Sequence, residues 1–163
     1  MKKVLIISAS DSNLEIMNDA AKVLDEFGVE HELTISSAHR SPVRSVKLVE
    51  EFHKNGGKVV ICGAGLAAHL AGVVAAHFPL PVIGIPLDGG VLKGADALYA
   101  TVQMPSGIPV ATVGIDNAKN AGLLAVQILA TSDKELEDKL IAYNEKLAKG
   151  VEEKAEKLKE QNG

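Results

Sequence analysis

The sequence predicts a three-layer α/β sandwich, in which helices cover both faces of a central parallel sheet. Two observations predict it. Short apolar runs alternate along the chain with longer helical patterns, and the runs are apolar at consecutive positions, not at every second one. Strands buried on both faces read that way, and strands separated by helices build βαβ units and a parallel sheet. The topology is doubly wound, flavodoxin/Rossmann-like, with right-handed crossovers.

Each element follows in order. "KVLII" is the first strand, and Leu14 to Phe27 form an amphipathic helix stopped by Gly28. "HELTI" is the second strand. Ser41-Pro42 then caps and opens a helix to Asn55, halted by Gly56-Gly57. "KVVIC" is the third strand, and the small apolar "GLAAHLAGVVAAH" is a buried helix with His69 inside it. "LPVIGIPL" is the fourth strand. "LDGGVLKGADALYATVQMPSG" reads as one long glycine-rich loop, "IPVATVGI" as the fifth strand, and Asn117 to Ala130 as a helix. From Asp133 to Gln161 the chain turns charge-rich. Leu136, Leu140, Tyr143, Leu147, Val151, Ala155 and Leu158 recur there three or four apart, one apolar stripe on a long helix. We expect residues 1–131 to form the α/β domain and residues 132–163 to form a C-terminal helix packing on a neighbouring subunit.

Composition narrows the function classes. A chain of 163 residues suffices for one domain with a full core. A net charge of −4 and 3% aromatics argue against a nucleic-acid partner, which needs a basic footprint or stacking platforms. The lone Cys62 lies in an apolar run and reads as a small core residue; no Cys/His cluster has zinc spacing. "MKKVLIISASDS" is too short in its apolar part for a signal sequence, and no stretch is long and apolar enough to span a bilayer. The expectation is a cytoplasmic protein with no membrane partner.

In doubly wound sheets ligands bind outside the carboxyl ends of the strands, so the loops there carry the functional reading. After the first strand, "SASDSN" sets Ser8, Ser10, Ser12 and Asn13 before a helix N-terminus, suited either to a phosphate or to plain N-capping. After the second, "SSAHR" places His39 beside Arg40. A guanidinium clamps phosphate or carboxylate, and an imidazole exchanges protons near neutral pH; the plain alternative is a turn histidine with a solvated arginine. After the third, Gly63 and Gly65 permit close backbone approach, while His69 is either a satisfied core residue or a second imidazole at the same rim. Together these loops describe a pocket for a small phosphorylated ligand with a proton-transfer step.

Several longer segments carry a family resemblance. "SAHR" at Ser37 to Arg40, "GAGLAAHLAG" at Gly63 to Gly72, "LPVIGIP" at Leu80 to Pro86, "VQMPSGIPVATV" at Val102 to Val113 and "NAKNAGLLAVQIL" at Asn117 to Leu129 occur in the order of the PurE family. The sequence resembles that family from about Val4 to Leu129. Its members include N5-carboxyaminoimidazole ribonucleotide mutases and, as close relatives, aminoimidazole ribonucleotide carboxylases. "GAGLAA", in place of the G-R-S-N pattern of the carbon-dioxide-using branch, is similar to the mutase branch (class I).

The resemblance implies an isomerase of de novo purine biosynthesis that moves a carboxyl group from the exocyclic nitrogen to ring carbon C4. It makes His39 the general acid/base and sets His69 in the same pocket. It gives the substrate phosphate to Arg40, and it places Ser10, Ser12, Asn13, Ser37 and the Gly65-Leu66-Ala67 loop against the ribonucleotide. It implies no metal, no organic cofactor and a homo-octamer. Counted without gaps from "SAHR", the chain departs from the family at Ala9 for a glycine and Asn13 for an acid, although a rival frame with a two-residue insertion keeps Ser8, Ser10 and Asp11 as the family's S-x-S-D. It departs further at Leu66 for a glycine, Ala71 for a proline, and Asp88 in a segment that is usually rich in Ser and Thr. These changes motivate an alternative, a diverged relative acting on or binding another ribonucleotide. The hydroxyl-rich first loop also admits a flavodoxin-like FMN module, which the scarcity of aromatics disfavours.

Overall fold

The computed structural model describes residues 1–162. Its sheet has five parallel strands in the order β2-β1-β3-β4-β5, with β1 Val4–Ser8, β2 His31–Ile35, β3 Val59–Gly65, β4 Val82–Leu87 and β5 Ala111–Thr112. The helices are α1 Leu14–Phe27, α2 Pro42–Lys54, α3 Leu70–His77, α4 Ala95–Val102, α5 Ala118–Ala130 and α6 Lys134–Asn162. The three central strands are buried almost throughout, as their consecutive apolar residues require.

Strand alternation divides the core in two. Val4 and Ile6, with Val59, Ile61, Ile83 and Ile85, face a layer built by α1, α5 and the start of α6. Leu5, Ile7, Val60, Cys62 and Val82 face the opposite layer, built by α2, α3 and α4. The first layer is tight where α1 meets α5. A Cβ at Gly122 would stand 2.9 Å from the Ala20 carbonyl oxygen and 2.9 Å from Val23 Cβ, so only glycine admits this approach.

Three expectations are corrected. Residues 87–107 are not one loop, because α4 occupies Ala95–Val102. Its glycine-rich lead hid it, and Tyr99 and Val102 stay exposed, so no polar face marks the helix period. The fifth strand shrinks from eight residues to two; it is an edge strand, and Pro109 has no N–H to offer a ladder. The helix expected across Gly65 to His77 starts only at Leu70, which leaves His69 as its exposed N-cap and not inside a helix.

The tail is one helix with two environments. Leu136 is buried, Leu140 and Tyr143 pack on the α1/α5 core, and the Tyr143 ring lies 5.7 Å from that of Phe27. Further along, Leu147, Val151 and Leu158 are exposed. No helix among the described residues is long and apolar enough to cross a membrane.

Candidate active site

The loops leaving the carboxyl ends of β1, β2, β3 and β4 enclose a cavity of about 580 Å³. Serine hydrogen bonds shape the first two. Ser8 Oγ, buried at the end of β1, donates to the Ser10 carbonyl at 2.6 Å, and the Ala9 N–H donates to the Gly63 carbonyl at 2.9 Å. Ser10 caps a single 3₁₀ turn, Asp11–Asn13: its Oγ accepts from the Ser12 N–H and lies 2.9 Å from Ser12 Oγ. Asn13 precedes α1 without capping it by its side chain. Its amide and both hydroxyls therefore sit at the positive end of a fourteen-residue helix.

The second loop is tied from below. Ser36 Oγ and Ser45 Oγ pair at 2.8 Å in the core. Ser41 Oγ accepts from the Ser37 N–H at 3.0 Å and donates to the Ser37 carbonyl at 3.1 Å. Ser37 Oγ accepts the Arg40 N–H at 3.2 Å. The loop is fixed by its own serines, so His39 and Arg40 project outward and stay exposed. Among the described residues the Arg40 guanidinium has no acidic partner within ion-pair distance, which leaves its donors open for an external anion.

The two imidazoles meet. His39 Nε2 and His69 Nδ1 are 2.9 Å apart, with ring centroids at 4.9 Å and planes at 83°. That contact needs one donor and one acceptor, so it holds while the pair carries at most one positive charge. His69 is held by the start of α3, which follows the Gly65-Leu66-Ala67 turn at the end of β3. Opposite stands the end of β4, where the Asp88 N–H donates to Asp116 Oδ1 at 2.9 Å.

The ten residues that the resemblance assigns to catalysis or substrate line this one cavity: Ser10, Ser12, Asn13, Ser37, His39, Arg40, Gly65, Leu66, Ala67 and His69; Ser8 and Gly63, named with the same loops, lie behind it in the strands. Asp88 and Gly89 line it too; Asp88 was named in the sequence only as a departure from the family, and Gly89 only as part of the glycine-rich loop. The strand-end rule was the available signal, because they directly follow β4. Sheet order lays the walls out in sequence: cation over β2, hydroxyls over β1, glycine-rich turn over β3, carboxylate over β4. Three strand spacings separate the ends, roughly 14 Å, which suits a nucleotide. Among the described residues no group of three His, Cys, Asp or Glu side chains is placed to hold a metal ion. Burial pushes the Cys62 thiol far above its ordinary value and leaves it inert in the core.

Comparison with known proteins places this geometry. The AIR carboxylase family model matches residues 3–150. The chain is 52% identical over 155 residues to the N5-carboxyaminoimidazole ribonucleotide mutase of Pyrococcus horikoshii, covering 95% of this chain and 88% of that one. It is 48% identical over 160 residues to the mutase of the same name from Thermotoga maritima, covering 98% and 94%. It is also 52% identical to the phosphoribosylaminoimidazole carboxylase of Schizosaccharomyces pombe, over 94% of this chain but 28% of that longer protein. The crystal structure of Treponema denticola PurE superposes with a TM-score of 0.86 at 32% identity, covering 94% of this chain and 96% of that one. The chain belongs to the AIR carboxylase family, the PurE family of the sequence resemblance.

Proposed function

We propose that this protein is an isomerase of purine biosynthesis that converts N5-carboxyaminoimidazole ribonucleotide to 4-carboxy-5-aminoimidazole ribonucleotide. Full-length relatives about half identical to it carry the mutase name. The observation that carries the reading is the hydrogen-bonded His39–His69 pair above a cavity that also offers Arg40 and paired serine hydroxyls.

The chemistry follows from the layout. Arg40 and the hydroxyls of Ser10, Ser12 and Ser37 hold the phosphate by charge-assisted and neutral hydrogen bonds. Asn13 bonds a ribose hydroxyl. The imidazole then lies over the ends of β3 and β4. The carbamate N–C bond breaks, carbon dioxide leaves, and the nitrogen takes a proton from His39. Ring carbon C4 attacks the same carbon dioxide, and the C4 proton returns to His39, so the isomerisation balances with no added reactant. His69, 2.9 Å away, fixes the His39 ring and its tautomer. Backbone N–H groups of the Gly65-Leu66-Ala67 turn hold the migrating carboxylate. We assign the enzyme to the cytoplasm as a homo-octamer without a cofactor; the exposed Leu147, Val151 and Leu158 on α6 offer an apolar strip to a neighbouring subunit.

Neither competing reading gains from the geometry. Among the described residues no Phe or Tyr lines the cavity, which leaves a flavin without an aromatic side chain of that kind to stack on. An ultraviolet assay of N5-carboxyaminoimidazole ribonucleotide isomerisation tests the reading. Turnover is the expected result; no turnover by folded protein would shift the assignment to a relative acting on another ribonucleotide.

A further inference from the structure

Leu66 stands in left-handed backbone, at φ 53°. L side chains rarely adopt that conformation, and family resemblance puts a glycine at this position. Burial does not offset the strain, since Leu66 remains 54% exposed. Its side chain nevertheless has a built seat. A Cβ on Gly90 would stand 2.8 Å from Leu66 Cδ2, and a Cβ on Gly89 would stand 3.9 Å from Leu66 Cγ. The preceding residue is also close to β4: a Cβ on Gly65 would lie 3.2 Å from the Leu87 carbonyl oxygen. A bulky residue at 66 and bare backbone at 89 and 90 therefore fit together where β3 and β4 end side by side, with Leu66 and Gly89 lining the cavity. A strained non-glycine residue kept at a cavity wall, with its neighbours reduced to make room, points to use at that wall.

We propose that Leu66 is a specificity-determining residue. Seated on Gly89-Gly90, its isobutyl group forms an apolar rim that keeps water out of the β3/β4 end of the cavity and keeps carbon dioxide in. The inference rests on the isomerase reading above. In that reaction carbon dioxide exists briefly between rupture of the N–C bond and formation of the C–C bond, and an open rim lets it exchange with solvent. Apolar closure of this end favours recapture over loss.

The test uses substrate labelled with carbon-13 in the migrating carboxyl group, turned over in excess unlabelled bicarbonate. Wild type, Leu66→Gly, Leu66→Ala and Gly90→Ala are compared, with the thermal midpoint of each. Wild type is expected to deliver nearly all label to product. Leu66→Gly is expected to lose label about tenfold more often, at the lower end of what one missing apolar contact does to discrimination. Its thermal midpoint should be equal or higher, because glycine relieves the left-handed strain. Gly90→Ala displaces Leu66 from its seat and should leak in the same sense. Label retention by Leu66→Gly equal to that of wild type overturns the proposal while leaving the isomerase reading intact. A folded wild type that does not turn over overturns the isomerase reading first, and this inference with it.

Discussion

The two ends of the sheet carry cavities of opposite character. At the amino ends of the strands lies the larger one, about 780 Å³, walled by Phe27, Val29, Leu80, Ile128, Leu129 and Leu136, with Lys3, Lys58 and Lys139 at its edge. At the carboxyl ends lies the smaller one, about 580 Å³, with two imidazoles in contact, a guanidinium without an acidic partner among the described residues, and clustered hydroxyls. Size favours the first and chemistry the second. The difference arises from the strands: their carboxyl ends feed helix N-termini and small-residue turns, whereas their amino ends receive helix C-termini and apolar packing. The amino-end groove is lined by the residues that seat α6, and the carboxyl-end cavity is the one to which we assign the proposed reaction.

The contrast can be broken by substitution. The largest effect is expected from His39→Asn: kcat should fall about a hundredfold or more with the thermal midpoint unmoved, since proton transfer by a positioned group contributes at least that much. Equal turnover would remove His39 from the mechanism. Next comes Arg40→Ala, which loses charge-assisted bonds to phosphate; KM should rise about tenfold or more. An unchanged KM would reject the clamp.

At the other end, Leu136→Ala should lower stability by about 2 kcal/mol through the cavity it leaves, with kcat/KM of the folded enzyme unchanged. Denaturant unfolding beside steady-state kinetics separates the two, and an equal loss in kcat/KM would erase the distinction between the ends. The smallest effect sharpens the carboxyl end itself. Asp88→Asn removes a carboxylate from the wall facing an anionic ligand, and KM should fall about twofold to fivefold at low salt, as expected for an exposed charge pair. A rise in KM would mean that Asp88 contacts the substrate favourably.

Much of this was legible in the sequence, for physical reasons that differ by element. Leu14 to Phe27 and His31 to Ile35 could be read to the residue, because the helix shows its period and the strand is bounded by turn residues. Helix α4 could not: Gly89, Gly90 and Gly94 announce a loop, and its exposed Tyr99 blurs the apolar face. The site residues were readable one loop at a time, from the strand-end rule and from the family resemblance. Their gathering on one rim was readable too, from the strand-end rule; the direct contact of His39 with His69 was not, because they lie thirty positions apart and meet only through the order β2-β1-β3. The cap position of His69 was hidden by a run of alanines that looks uniformly helical. The left-handed backbone at Leu66 was hidden more deeply, since leucine gives no signal for it.

The most direct measurement is a crystal structure of the enzyme with 4-carboxy-5-aminoimidazole ribonucleotide bound. The phosphate is expected against Arg40, Ser10 and Ser12, with the imidazole ring within hydrogen-bond reach of His39 and beside Leu66. A nucleotide lodged in the amino-end groove, or one whose phosphate lies away from Arg40, would contradict it.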